Sequence, residues 1–305
     1  MMNAPVAGRG LAVERRGAPP PTTSRPAVLR PAALPYVCSS VLAAMSTAAA
    51  VLSVSFPAVL GGVAAANGNL RGTAVIMLVV GIPVLVIAMI MTARGSARGH
   101  VVWLGAVGYL IYQAVMFCFA TPLNNFFLIY IAQLGLAFWS VVLLLRATDL
   151  QGFTARISPR MPAKTLAGCA ATVVILNAAA WLAPIVPAVL GPAPTTLLAG
   201  SGLLTNPVYV QDLAIWLPLF AAAAFAGWSR RTWGLLTIGA MLVMTVLESI
   251  GIATDQWFGA DADPSSTISS VTMTPVFAVV ALIVSIPLMV YLRNIDRRAP
   301  SGTGK

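Results

Sequence analysis

Residues 209–258 read YVQDLAIWLPLFAAAAFAGWSRRTWGLLTIGAMLVMTVLESIGIATDQWF, and this stretch decides the fold class. It contains two apolar segments, each near the length of about 20 residues that an α-helix needs to cross the hydrocarbon layer. A short turn with Arg230 and Arg231 separates them. The stretch therefore predicts two antiparallel membrane-spanning helices, one carrying Asp212 and the other carrying Glu248.

The composition of the whole chain agrees with this prediction. Of 305 residues, 59% are hydrophobic and 9% are charged, and the mean hydropathy is +0.89, which is typical of a polytopic membrane protein. The net charge is +10, but the basic residues form short clusters between apolar segments instead of one surface, which argues against a nucleic-acid partner. Cys38, Cys118 and Cys169 lie in different apolar segments without CxxC spacing, so neither a disulfide framework nor a zinc site is indicated.

The apolar segments predict an all-α, eight-span transmembrane helix bundle over residues 35–293. A basic, proline-rich tail (1–34) is predicted to be disordered, and a short basic tail (294–305) follows the last span. The first span is longer than the apolar core of about 7 to 15 residues of a signal peptide, so we interpret it as an uncleaved anchor. The predicted spans are 34–63, 73–93, 101–120, 126–145, 165–187, 209–228, 233–254 and 275–292.

The distribution of basic residues predicts the orientation of the bundle. With the N-terminus in the cytoplasm, all of the 18 lysines and arginines except Arg71 fall on the cytoplasmic side. Both termini are therefore predicted to be cytoplasmic, in a plasma membrane, and the loop 255–274 with Asp255, Asp261 and Asp263 is predicted to lie outside. Each half of four spans then begins inside, with Pro83 and Pro218 midway along its second span. A parallel duplication is one interpretation, which the low similarity between the halves leaves open.

Polar side chains inside the spans mark a candidate site in the outer half of the bilayer. A charged carboxylate costs about 2.5 to 3.5 kcal/mol at the centre of a membrane helix, and no basic residue lies in any apolar segment to offset it. Such a group must be protonated, accept hydrogen bonds or hold a cation. We predict a ligand- or cation-binding pocket, open to the outside, formed by Tyr109, Gln113, Gln133, Asp212, Trp216 and Glu248.

A structural interpretation of the same residues stands beside this one. Gln113, Gln133 and Glu248 would join helices through hydrogen bonds worth about 1 kcal/mol each. Asp212 would simply reach the lipid headgroups.

Motifs for the common enzyme chemistries are absent from the sequence. The single histidine, His100, is predicted to lie in a short cytoplasmic loop, and no phosphate loop, dinucleotide-binding motif or HExxH occurs. We predict that the protein is not an enzyme and needs no cofactor or metal. The favoured function is a small-solute or ion transporter, or a ligand-binding membrane protein, with the lipid bilayer and a small solute, proton or cation as partners. A membrane scaffold or assembly partner, and an intramembrane enzyme acting on lipid, are the alternatives.

Four sequence segments resemble uncharacterised multipass membrane proteins of actinobacteria and other bacteria. They are GYLIYQ (108–113), NNFFLIYIAQLGLAFW (124–139), DLAIWLP (212–218) and WSRRTWG (228–234). The resemblance covers roughly residues 70–255. It implies a bacterial plasma-membrane location and implies nothing about chemistry.

Overall fold

The computed structural model describes residues 28–29 and 32–296, so most of the predicted N-terminal tail and residues 297–305 lie outside it. The described residues form an all-α bundle without a β-strand. Eight of their helices are long and apolar enough to cross a membrane, which confirms the predicted architecture. These helices are α1 (Ala33–Ser55), α2 (Ala64–Ala93), α3 (Ala97–Phe119), α4 (Phe127–Ala147), α5 (Ala163–Leu190), α6 (Pro207–Trp228), α7 (Thr232–Ala262) and α8 (Met273–Arg293).

Several polar residues that the prediction placed in loops lie inside these helices, among them Arg71, Asp255 and His100. Arg71 lies in α2, which begins nine residues earlier than predicted, and Asp255 lies in α7, which continues to Ala262. His100 lies in the first turn of α3, where it is buried and its Nε2 is 2.9 Å from Thr148 Oγ1. The predicted boundaries were wrong because hydropathy falls at a charged side chain, whereas the helix continues wherever that side chain faces another helix.

Successive long helices run in opposite directions, so every connection lies at one of two ends. The basic end holds the connections 94–96, 148–162 and 229–231 together with residues 294–296. The acidic end holds the connections 56–63, 120–126, 191–206 and 263–272.

Helices α3 and α7 occupy the centre of the bundle. Helix α7 packs against α2, α3, α6 and α8, and α3 packs against α2, α4 and α7. Small residues permit the closest approaches, as in membrane helix pairs generally. Gly72 of α2 faces the backbone of Asp255, and Gly105 of α3 faces the carbonyl oxygen of Ala240, with no room for a Cβ at either glycine.

Two of the helices contain a π-helical turn, at Met77–Gly81 in α2 and at Asp212–Trp216 in α6. Each turn ends two residues before a proline, Pro83 or Pro218. Proline has no N–H to donate, and its ring displaces the carbonyl group four residues earlier. The widened turn accommodates this loss within a continuous helix, and it places Asp212 at the first position of the turn in α6.

Asp296 connects neighbouring segments at the basic end of the bundle. Its carboxylate accepts hydrogen bonds from the backbone N–H groups of Ala97 at 2.9 Å and Arg98 at 3.2 Å. It also pairs with Arg156 at 2.8 Å. These contacts join the end of α8 to the start of α3, the helix that carries much of the candidate site.

Candidate functional site

Glu248 and Gln113 form a hydrogen-bonded pair at the centre of the bundle. The side-chain amide of Gln113 on α3 donates to both carboxylate oxygens of Glu248 on α7, at 3.0 and 3.1 Å. The two residues are 4% and 9% exposed, so the pair is almost completely buried. The structure therefore brings together two of the residues that the sequence predicted for the site.

Asp255 adds a second carboxylate to the same face of α7. It follows Glu248 by seven residues, which is two turns of an α-helix. The hydroxyl of Thr73 on α2 lies 3.0 and 3.1 Å from its two carboxylate oxygens. The sequence analysis missed Asp255 as a site residue because it ended the span at residue 254, although the seven-residue spacing from Glu248 was a usable signal.

The phenol of Tyr109 lies between these two carboxylates. Tyr109 is fully buried on α3, and its ring packs over Gly81 of α2. Its hydroxyl has no hydrogen-bond partner among the described residues and lies close to Gly251, which is between Glu248 and Asp255 on α7. The site thus contains an unpaired polar group aimed into the gap between two acids.

Asp212 forms a third acidic position beside this pair. The indole N–H of Trp181 on α5 donates to its carboxylate at 2.8 Å, and Asp212 is only half-buried. The hydroxyl of Tyr112 on α3 is a second hydrogen-bond donor to Asp212. Trp181 and Tyr112 are thus site residues that the sequence analysis did not select.

Two of the predicted site residues make their hydrogen bonds elsewhere. Gln133 is fully buried on α4 and donates to the sulfur of Met77 at 3.5 Å. Trp216 donates to the side-chain oxygen of Gln211 at 3.1 Å. Both therefore stabilise the surroundings of the π-helical turns, and their predicted contact with the carboxylates is not observed.

The predicted opening to the outside does not expose Glu248 in this structure. Tyr109, Gln113 and Glu248 are 0%, 4% and 9% exposed. Two cavities of about 350 and 430 Å³ lie elsewhere, one beside Tyr36 and Met89 and the other beside Lys164. Neither of these two cavities is lined by a residue of the carboxylate cluster.

No cationic side chain balances the cluster among residues 32–296. Arg71 lies two residues before Thr73 on α2, but it forms no ion pair with Asp212, Glu248 or Asp255. No group of three or more acidic, histidine or cysteine side chains in this part of the chain is arranged to hold a metal ion. The acids are held by neutral donors only.

The fold and this cluster define the class of the protein as an all-α, integral membrane protein with buried carboxyl groups in its central helices. Comparisons with protein-family models, with curated proteins and with solved structures give no match. The resemblance to uncharacterised bacterial membrane proteins therefore stays a prediction.

Proposed function

We propose that this protein is an ion or small-solute transporter in which Glu248 binds a proton or a small cation. The observation that carries the proposal is the burial of Glu248 against a neutral amide, with no basic side chain of residues 32–296 paired to its charge. An uncompensated carboxylate in an apolar interior costs several kcal/mol, on the order of the insertion cost of an acid in a membrane helix. Uptake of a proton or cation removes that cost, so the occupancy of the site responds to the ion concentration.

The remaining acids provide a route from the site towards the acidic end. Tyr109 offers a hydroxyl between Glu248 and Asp255, and Asp255 lies two turns nearer to the acidic end. Hydroxyl and carboxyl groups in sequence can pass a proton or share the ligation of a cation. Since Glu248 is buried, exchange of its proton or cation with water requires a local opening of the packing around it.

The direction of this route follows from the positive-inside rule. Arg94, Arg98, Arg156, Arg230 and Arg231 lie at the basic end, which we place in the cytoplasm of a bacterial cell. The acidic end, and the entrance to the site, then face outward. Single cysteines introduced at 96 and at 267 in a cysteine-free variant test this orientation with a membrane-impermeant thiol reagent, which should label only the second.

Flux through proteoliposomes tests the function itself. A trapped pH-sensitive dye reports proton movement under an imposed pH gradient, and tracer ions report Na⁺ and K⁺. We expect Glu248→Gln to reduce the flux by at least about tenfold, because glutamine keeps the shape but has no group to protonate. Asp263→Asn is the matched control, because Asp263 is half-exposed and lies outside the cluster. Equal flux in the Glu248→Gln variant and the wild type would refute the role of Glu248.

A membrane scaffold is the second candidate, and the surface of α5 favours it. Only Ala163, Leu166, Ala167 and Ala170 are buried in this 28-residue helix, all of them in its first two turns. The exposed face of its remaining length, which includes Ala179 and Ala183, is available to a helix from another protein. Stable co-purification of one partner, lost when bulky residues replace Ala179 and Ala183, would support this function, whereas recovery of the protein alone would oppose it.

A further inference from the structure

The two π-helical turns occupy corresponding places in the two halves of the chain. They begin at Met77 and Asp212, which are 135 residues apart, and the prolines that follow them, Pro83 and Pro218, have the same separation. The backbone N–H that closes each turn reaches back five residues, from position 82 to Met77 and from position 217 to Asp212. Such turns are rare, so two at one separation point to a repeated unit.

The helix boundaries keep the same separation of 135 residues. Helices α1 and α5 end 135 residues apart, as do α2 and α6, and α3 and α7 begin 135 residues apart. The turn after α2 has Gly95 at φ 83°, and the turn after α6 has Arg230, its equivalent, at φ 56°. Each of these residues donates its N–H to the carbonyl three residues earlier, Thr92 or Gly227. The correspondence therefore extends to individual backbone hydrogen bonds.

The packing of the helices follows the same scheme. Helices α1 to α4 form a ring of neighbours, α1–α2, α2–α3, α3–α4 and α4–α1, and helices α5 to α8 repeat it in the same order. Between the units, α2 packs against α7, and its equivalent α6 packs through its first turns against α3. Each unit thus contacts the other through equivalent helices, which is the pattern that a twofold axis between the units produces.

Equivalent residues meet where α3 and α7 cross. Gly105 faces Ala240, and Gln113 binds Glu248. In each pair the two residues are 135 positions apart in the sequence. A residue contacts its own equivalent only at the axis that relates two copies. The axis therefore passes between α3 and α7 and through the buried hydrogen-bonded pair.

We propose that the chain consists of two parallel four-helix units, and that Gln113 and Glu248 are the two equivalent halves of one binding site on the axis between them. The site then needs one carboxyl group and one amide, and either helix can carry either group. Two carboxylates at this distance would repel, and two amides would have no ionisable group to take up a proton or to balance the charge of a cation. This inference adds Gln113 to the proposed ion site as its second half. The transport measurement that tests it rests on the proposed function.

Exchange of the two side chains tests this proposal. The double variant Gln113→Glu with Glu248→Gln places the same two groups at the axis with their helices interchanged. We expect it to keep flux within about threefold of the wild type, whereas the single Glu248→Gln change removes at least about tenfold. A folded double variant with flux as low as that of Glu248→Gln would overturn the proposal.

Thermal unfolding of the same variants gives a readout that does not depend on transport. We expect the single Gln113→Glu change to lower the unfolding temperature, because it places two acids together, and the exchanged pair to restore it. Failure of the exchange to restore stability would refute the proposal even if the protein transports nothing. If the exchange restores stability but the wild-type protein shows no flux, the proposed function is refuted. The proposal that Gln113 and Glu248 are equivalent positions on the axis is then retained.

The matched control is a second hydrogen-bonded pair that does not lie on the axis. Thr73 and Asp255 also join two helices through a carboxylate, but they are 182 residues apart and are not equivalent positions. We expect the exchange Thr73→Asp with Asp255→Thr to destabilise the protein without recovery. Recovery in both exchanges would show that any carboxylate pair tolerates reversal, and it would remove the argument for an axis.

Discussion

The hydroxyl of Thr73 on α2 lies 3.0 and 3.1 Å from the two carboxylate oxygens of Asp255 on α7. This contact joins the two helices of the most extensive interface in the bundle near its acidic end. It also accounts for the continuation of α7 beyond the predicted span, because the acid faces α2 and not solvent.

Removal of the Thr73 hydroxyl should therefore destabilise the fold. We expect Thr73→Val to lower the free energy of unfolding by about 1 to 3 kcal/mol, because it leaves the Asp255 carboxylate without its donor. Denaturation in detergent, followed by circular dichroism, measures the change. Thr73→Ser keeps the hydroxyl and is the control, so equal losses in the two variants would contradict the assigned hydrogen bond.

Glu248→Gln should separate stability from transport. We expect this variant to unfold at the same temperature as the wild type or higher, because replacement of a buried charge by a neutral group of the same shape removes a desolvation cost. Thermal unfolding in detergent measures this, and flux assays of the same preparation should show the loss described above. A large fall in the unfolding temperature would mean that the pair is mainly structural.

The hydrogen bond between Trp181 and Asp212 should give a measurable coupling energy in a double-mutant cycle. We expect the variants Trp181→Phe and Asp212→Asn each to change stability, and their double variant to reveal an interaction of about 1 kcal/mol. Trp139→Phe is the control for loss of an indole, because Trp139 is 58% exposed. Strict additivity of the two changes would argue against the 2.8 Å hydrogen bond.

Gly72→Leu should disrupt the contact between α2 and α7. A Cβ at Gly72 would lie 2.9 Å from the Cα of Asp255, so a larger side chain must push the helices apart. We expect a cost of about 3 kcal/mol or more, measured as loss of monodisperse protein in size-exclusion chromatography and of thermal stability. Gly135→Leu in α4 is the control, because no atom lies within 4 Å of a Cβ there. Equal tolerance of both substitutions would contradict the close packing.

Sequence patterns were sufficient for the class of fold and for part of the site. Hydropathy and the spacing of basic clusters predicted eight helices, because a membrane span needs a continuous apolar segment whatever its neighbours are. The rarity of acids in such segments selected Glu248, and the similar depth of Gln113 in the bilayer grouped the two residues, whose side chains the structure joins by a hydrogen bond.

The remaining site residues depend on contacts between distant segments. Asp255 was assigned to a loop because only its packing against α2 shows that it is inside the bundle. Gln133 was grouped with the carboxylates by depth and Trp216 by its helical spacing from Asp212, but neither depth nor spacing fixes which partner a side chain contacts.

The sequence by itself determined the all-α class, the number of spans and the buried position of Glu248, since these follow from the cost of polar groups in hydrocarbon. Tertiary structure decided which helices form the centre, which acids face one another, and that equivalent positions of the two halves meet. These relationships depend on helix rotation and on close approach at Gly72 and Gly105. Interhelical packing sets both, and no local pattern of residues specifies it.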